Sequence, residues 1–397
     1  MKFFHTADWH LGKLVQGVYM TEDQAYILQQ FIEIVEEEQP DAIVIAGDLY
    51  DRAVPPTEAV QLLNDVLDHI ILKLKIPVLA LAGNHDSPSR LNFASKILME
   101  NGLHIVGQLD QQLEPVILKD TFGEIHFHLV PFCEPSIVRT VFQDEEIRTY
   151  DDAMKKIVDE ITSKMDKSAR HVFVGHAFVT PHGEEKENTS DSERPLAIGG
   201  TEHVDAHFFS HFHYTALGHL HQSHFVLNET IRYAGSPLKY SVSEERHKKG
   251  FYIVELDKDG NVALEKRLLT PLRDIRTVET TMEELLTHPM NDDYVFVRLL
   301  DETPVLSPME KVRSVYPNAM HVERKIQMQT AASSTDGASG PRHKKSDLEL
   351  FRSFYQEVKG TEVSEDAERI FSDVLQELLH EETDTKQPTK KVAVTNN

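Results

Sequence analysis

From residue 1 to about 270, short apolar runs alternate with longer stretches of helical spacing, the pattern of strands and helices taking turns in an α/β domain. Ala42 to Ala46 reads as a buried strand closed by Gly-Asp, and Pro77 to Ala82 as another closed by Gly-Asn-His-Asp. Between them, Pro55-Pro56 opens a helix whose apolar positions Val60, Leu63, Val66, Leu67 and Ile70 recur at helical spacing. Val172 to Val174 is followed by Gly-His, and Thr215 to Leu217 by Gly-His-Leu-His. Each polar motif comes at the end of an expected strand. Open α/β sheets gather ligand-binding groups there, in the crevice beyond the carboxyl ends of the strands.

After Pro271 the pattern restarts, with a strand near Tyr294 to Leu299, a helix near Pro308 to Val315 and a strand near His321 to Lys325, so residues 271–326 read as a separate small α/β domain following a domain of residues 1–270. Residues 327–345 are small, polar and aperiodic, and read as a flexible linker. Two amphipathic helices are expected over 346–382. The first carries Leu348, Phe351, Phe354, Tyr355 and Val358; the second carries Ile370, Phe371, Val374, Leu375, Leu378 and Leu379, with Ser364 as its N-cap. Helices this short are unstable alone and must dock, on their own domain or on a partner. Residues 383–397 read as a disordered tail, and no internal repeat is visible.

The composition, 40% apolar and 27% charged in 397 residues, is that of a globular protein, with no run approaching the ~18 apolar residues of a membrane helix. The start, Met-Lys-Phe-Phe-His, runs into the first polar motif without an apolar targeting segment, so a cytoplasmic location is expected. The single cysteine, Cys133, excludes an internal disulfide and a cysteine-based zinc site, and reads as a buried structural residue. The net charge of −24 argues against electrostatic coating of nucleic acid. That argument is weakened by residues 361–384, which hold nine acidic side chains against one arginine, and by the sign reversal that bound divalent cations bring to a cleft.

The chemistry sits in five motifs. Asp8-Trp9-His10 places a carboxylate and an imidazole two positions apart, able to point to one side, although an isolated Asp-x-His is more often incidental. Gly47-Asp48 follows a very apolar strand, and an ionised carboxylate at the edge of a core is costly unless it is paired or binds metal; a helix N-cap is the competing reading. Gly83-Asn84-His85-Asp86 is sharper, since a tight turn presents an oxygen ligand, a proton donor and an orienting acid in succession. Gly175-His176 and Gly218-His219-Leu220-His221 repeat the strand-glycine-histidine pattern. Of 22 histidines, seven fall between 203 and 224, and His203, His207, His211, His213 and His224 lack that context. His211 and His213 form a rival His-x-His pair. The pair at 219 and 221 is favoured because it follows its strand directly, and the criterion is which pair converges on Asp48. Together Asp8, His10, Asp48, Asn84, His176, His219 and His221 form an oxygen and nitrogen donor set without thiolate, suited to two divalent first-row ions, manganese most naturally, with zinc or iron as alternatives.

The order Asp-x-His, Gly-Asp-x-x-Asp, Gly-Asn-His-Asp, Gly-His, Gly-His-x-His resembles that of the calcineurin-like metallophosphoesterases. Within them, HTADWHLG, IAGDLYDRAVPP, LAGNHDSPSRL, ALGHLH and RYAGSPLKYSVSE resemble the SbcD nuclease subunits of bacterial SbcCD complexes, clearly over residues 1 to 260. The resemblance implies a two-sheet sandwich flanked by helices, with residues 271–326 as a small capping domain and the terminal helical pair gripping the coiled coil of an SbcC-type ATPase. It implies Asp8, His10 and His221 on one ion, Asn84, His176 and His219 on the other, Asp48 between them, and His85, oriented by Asp86, as the acid that protonates the leaving oxygen or stabilises charge on the phosphorane-like transition state. The implied activity is 3′–5′ exonuclease on double-stranded DNA and endonuclease on single strands and hairpins, in replication, recombination and end processing. It allows for homodimerisation of the nuclease domain. Archaeal relatives tend to have a histidine where this chain has Asp51, so a second catalytic histidine is not expected there, and residues 177 to 210 do not follow the SbcD pattern closely.

A phosphoprotein phosphatase shares Gly-Asp-x-x-Asp-Arg, but here Ala53 follows Arg52 and the later motif is Asn-His-Asp. A small-molecule phosphodiesterase would leave the terminal helices without a purpose, and a non-catalytic DNA-tethering scaffold would have no need of seven ligands in register. No Gly-x-x-x-x-Gly-Lys-Ser/Thr loop is present, so ATP use would belong to a partner. Basic candidates for DNA contact are Arg90, Arg246 to Lys249 and Lys266-Arg267, each of which also reads as solvated surface.

Overall fold

The computed structural model describes residues 1–182, 190–191, 193 and 203–325, with scattered residues between 348 and 374. Two six-stranded sheets form the bulk of it. The first runs Val262–Leu268, Gly250–Leu256, Lys2–Thr6, Ala42–Ile45, Val78–Leu81, Leu103–Val106, and the second His224–Val226, Asn228–Tyr233, Tyr214–Gly218, Arg170–His176, Gly123–Val130, Val116–Asp120. Neighbours from Lys2–Thr6 to Leu103–Val106 are parallel, as are the four inner strands of the second sheet, so their carboxyl ends lie together.

Strand alternation explains the layers. Phe3 points between the sheets, where its ring meets Phe127 edge-on at 5.4 Å and Tyr214 at 5.8 Å, among Val44, Leu79, Val172, Val174 and Ala216. Phe4 points the other way, onto Phe31 of the helix Thr21–Glu38, with Ile43, Ile45, Leu63 and Val66. The second sheet is covered by Met154, Ile157, Val158 and Ile161 of the helix Tyr150–Ser163, which starts at a reciprocal Thr149/Asp152 cap. Burying such side chains is worth ~1.5–3 kcal/mol each. Cys133 packs half-buried against this second core, and burial pushes its thiol up to about 12.

Two details differ from the sequence pattern. The helix after Pro56, Thr57–Leu67, is set by Ala59, Leu63 and Val66, with Ile70 continuing the face in a π-helical turn, so Val60 lies on the flank and is 44% exposed. The strand expected at 172–174 runs over Arg170–His176, because Leu217 and Gly218 pair with Gly175 and His176 and carry the ladder to the histidine itself.

A three-stranded parallel sheet, Ile275–Thr280, Tyr294–Leu299 and His321–Arg324, packs its own core of Val278, Leu285, Val295, Val297, Val312 and Tyr316. Its first strand, IRTVET, mixes charge with β-branched residues and does not stand out in the apolar pattern. This sheet belongs to the compact unit Met1–Gln327, and Met328–Asn397 forms a second. In the second unit Phe351 stacks on Phe371 at 4.0 Å, Arg352 pairs with Glu368, and Ser364 Oγ accepts the Ala367 N–H at 3.4 Å. The expected linker 327–345, Val358, Leu375, Leu378, Leu379 and the tail 383–397 lie outside the described residues.

Candidate metal centre

The strand Lys2–Thr6 ends in the loop Ala7-Asp8-Trp9-His10, which is zipped to the loop after Ala42–Ile45: Asp8 N–H donates to Gly47 C=O at 3.1 Å and His10 N–H to Asp48 C=O at 2.9 Å. Asp8, His10, Asp48 and His219 all have positive φ, at 55°, 46°, 52° and 108°. Left-handed backbone costs a non-glycine residue roughly 1–3 kcal/mol, and it persists where the surroundings over-determine it, as they do at functional sites. Gly47 leaves the space that His176 fills, since a Cβ there would lie 2.3 Å from His176 Nδ1.

The side chains of these loops converge. Ligand-type atoms of Asp8, His10 and His221 fall within 4.8 Å of one another, as do those of Asp8, Asp48 and His176. Asp48 Oδ2 lies 3.5 Å from His10 Nε2 and 3.4 Å from His176 Nε2, so it stands between the two groups. Asn84 Oδ1 is 2.9 Å from His176 Nε2, and the His219 ring is 5.4 Å from that of His176. Nε2 of His10 faces Nε2 of His221 at 3.0 Å. His211 and His213 lie elsewhere, because they precede the strand Tyr214–Gly218 while His219 and His221 follow it; His213 Nδ1 accepts the His171 N–H.

Burial carries the Asp8 carboxyl up to about 7, against the pull of His176 and His221. Asp48 is held well below the carboxylate range, because His176 and His10 outweigh the burial that would raise it. Burial opposes charge on His176 too, yet Asp48 and Asp8 raise it to about 9, whereas burial keeps His10 and His219 neutral, with pKa values well below the usual one. The donor set fits a pair of cations on three counts: ring nitrogens of His10 and His221 are aimed at each other, His10 Nδ1 is buried with no hydrogen-bond partner among the described residues, and carboxylate charge is gathered out of water.

His85 is half-buried at the mouth. Its N–H donates to Asp48 Oδ1 at 2.9 Å, and its ring Nδ1 donates to the Asp51 carbonyl at 2.8 Å, which leaves Nε2 for proton exchange with a reacting group. The expectation that Asp86 orients His85 is corrected. The turn carries the Asp86 side chain back into the fold, where its oxygens accept the N–H groups of Leu49 at 3.1 Å, Tyr50 at 3.0 Å and Gly83 at 3.0 Å, stapling the Asp48 loop to the Asn84 turn. Asp51 pairs with Lys13 at 2.8 Å and lies 3.6 Å from His10 Nδ1.

A family profile described as Calcineurin-like phosphoesterase matches residues 1–215, and one described as Type 5 capsule protein repressor C-terminal domain matches residues 271–359. The chain is 39% identical over 326 residues to the SbcD subunit of the nuclease SbcCD of Staphylococcus epidermidis, a match that covers 81% of this chain and 84% of that protein. The protein of the same name from Staphylococcus saprophyticus is 37% identical over 324 residues, with the same coverage of each. The chain belongs to the SbcD nuclease family.

In this SbcD-family chain the supporting residues are those that the motifs do not announce. His221 Nδ1 lies 3.2 Å from Glu244 Oε1, and the His221 N–H donates to Glu193 Oε1 at 2.6 Å. Glu244 is fully buried and paired with Lys249, whose ammonium also donates to Ser236 Oγ at 2.7 Å and to the His221 carbonyl at 2.9 Å. Burial opposes ionisation of Glu244, but Lys249 and His221 hold it well below its usual value. Such a carboxylate behind an imidazole fixes the tautomer and aim of a metal-ligating histidine. In sequence, Glu244 to Lys249 reads as mixed surface charge, which is what makes its basic residues DNA-contact candidates. Lys249 is instead committed to the interior, Lys266 to Ser223 and the Lys248 carbonyl, and Arg267 to Glu38; Arg90, Arg246 and Lys248 remain exposed.

Proposed function

We propose that this chain is a two-metal DNA nuclease that hydrolyses phosphodiester bonds as a subunit working with an SbcC-type ATPase. The observation that carries it is the position of Asp48 Oδ2, 3.5 Å and 3.4 Å from imidazoles of two different ligand groups. Asp8, His10 and His221 would hold one ion, Asn84, His176 and His219 the other, and Asp48 both; the mixed donors without thiolate favour Mn2+. Bound ions supply Lewis acidity at the phosphoryl oxygens and an acidified water as nucleophile. The chain's own residues do the rest. His85, held by the Asp51 carbonyl, places Nε2 to give a proton to the leaving oxygen, and the Asp86 staple keeps the Asn84-His85 turn against the Asp48 loop.

The 346–382 segment is our candidate for the ATPase dock, supported by its amphipathic sequence and by the Phe351–Phe371 stack. A homodimer is supported by apolar side chains at the surface after the Asn84-His85 turn, where Phe93 is 79% and Ile97 70% exposed. Phe93→Asp should convert a dimer to monomer in sedimentation. A cytoplasmic location remains the expectation; among the described residues no helix is long and apolar enough to cross a membrane.

The test is to incubate the purified chain in Mn2+ with duplex, hairpin and single-stranded DNA, with and without an SbcC-type ATPase and ATP. Metal-dependent cleavage is expected. Turnover only of a phosphoprotein or small phosphodiester would favour a general phosphoesterase, and DNA binding without metal-dependent turnover would favour a tethering scaffold.

A further inference from the structure

The helix Thr21–Glu38 uses its first turn to hold two different parts of the molecule. Gln24, buried, donates from Nε2 to the His10 carbonyl at 2.8 Å and the Trp9 carbonyl at 3.2 Å, and its Oε1 accepts the Gly12 N–H at 3.0 Å. The Tyr240 hydroxyl closes this clasp by donating to the same Trp9 carbonyl. One residue earlier, Asp23 is also buried and accepts from the Tyr294 hydroxyl at 2.8 Å, while its other oxygen has no hydrogen-bond partner among the described residues. Arg273 donates to the Tyr294 hydroxyl at 2.8 Å, pairs with Glu22 and lies 3.5 Å from the Asp23 oxygen that Tyr294 bonds, so these two are the partners of that carboxylate from the small domain. Tyr294 opens the middle strand of the small sheet, and Arg273 leads into its first strand.

The rest of the helix is fixed in the first core by Ile27, Leu28, Phe31 and Val35, so its first turn moves as part of a rigid body. Main-chain carbonyls of Trp9 and His10 therefore hang on the helical turn whose neighbouring side chain is tied to the small domain. A buried carboxylate that loses one of few partners keeps its desolvation cost, so a change at Tyr294 is felt at Asp23 and the adjoining residue. We propose that Gln24 is a positioning residue for His10, and that the small domain acts on it through Tyr294 and Asp23, so that the seating of the small domain tunes metal affinity at the His10 ligand group. This rests on the reading of His10 as a metal ligand.

Trp9 is the only tryptophan in the sequence and lies between Asp8 and His10, so its emission reports on the ligand loop with or without metal. In the full-length chain, Mn2+ binding would be followed by calorimetry and Trp9 emission for wild type, Gln24→Leu, Tyr294→Phe and a control, Tyr316→Phe. The control removes a hydroxyl bonded to His288 at 2.8 Å, outside the strands but in the same small domain, where Tyr316 packs in the core. Gln24→Leu should weaken Mn2+ binding by roughly 10- to 100-fold, the range for outer partners of metal ligands, and Tyr294→Phe by a smaller factor of about three to ten. Tyr294→Phe should also shift the metal-free Trp9 emission, and Tyr316→Phe should do neither. Equal behaviour of Tyr294→Phe and Tyr316→Phe in both measurements would overturn the proposal, even if Gln24→Leu fails to fold. A wild-type chain that binds no Mn2+ would sink the metal reading, and metal-free Trp9 emission would then decide the link from Tyr294 to the loop.

Discussion

The strands Arg170–His176 and Tyr214–Gly218 carry histidines at both ends, and the two ends have different chemistry. At the carboxyl ends, His176, His219 and His221 meet Asp8 and Asp48 on loops of left-handed backbone. At the amino ends, His171 and His213 meet His126 and His128 of the strand Gly123–Val130, the His171 ring stacked on those of His128 and His213 at 5.3 and 6.4 Å and edge-on to that of His126 at 5.2 Å. That stack bonds ring to ring, His128 Nε2 to His171 Nδ1 at 3.1 Å, ring to main chain, His171 Nε2 to Asp166 C=O at 2.8 Å, and at one edge to Glu124. Its backbone is ordinary. Among the described residues, the groups of three convergent ligand atoms, which include His10, Asp51 and His85, all lie on the loops at the carboxyl ends and none in the stack. Histidine density is therefore a poor guide to where ligand-type atoms converge; carboxylates gathered between the rings and strained backbone behind them are a better one.

Removing the carboxylate between the rings should break the contrast most completely. Asp48→Ala is expected to abolish paired Mn2+ binding in calorimetry and to cut DNA cleavage well beyond the roughly 10- to 100-fold attributed to outer partners. A variant with wild-type turnover would remove Asp48 from the centre. Next, His85→Ala should bind Mn2+ normally yet lose cleavage by roughly 10²–10⁴-fold, the range for a general acid, and full activity would exclude it from proton transfer. Glu244→Gln keeps the shape behind His221 but not the charge, and a ~10- to 100-fold weaker Mn2+ affinity is expected by titration. At the other end, His171→Phe should leave Mn2+ stoichiometry and cleavage unchanged; a lost ion would show that the stack binds metal after all.

The smallest effect concerns acid. Burial pushes His128 down to about 3 from an ordinary 6.5, so the unfolded chain binds a proton more readily than the fold does. Its contribution is full above pH 6.5 and is lost as pH falls towards 3. Urea midpoints of His128→Phe should thus vary less across that window than those of wild type, and parallel curves would refute it.

Much of this is legible because each polar motif follows an apolar strand, and strand ends in a parallel sheet collect on one side. The preference for His219 and His221 over His211 and His213 uses only which end of Thr215 to Leu217 they follow, and the geometry has the former pair facing Asp8 and His10. What sequence could not supply was direction. Adjacency alone makes Asp86 the expected partner of His85, yet the turn aims it at the N–H groups of residues 49, 50 and 83. Val60 fits the helical period as well as Ala59 does, and only packing chooses between them. Glu244 and Lys249 neutralise each other in the interior, which no spacing of charges reveals.

The glycines of the motifs also constrain descent. A Cβ on Gly83 would fall 2.1 Å from Asp48 Oδ1, on Gly47 2.3 Å from His176 Nδ1, and on Gly218 1.9 Å from the Ala46 carbonyl. Each glycine is a vacancy that a neighbouring motif occupies, so a substitution in one loop displaces a group in another. The motifs cannot drift singly: lineages that keep the chemistry must inherit them as a set, and a chain shuffled at any one of them would lose its fit to the rest.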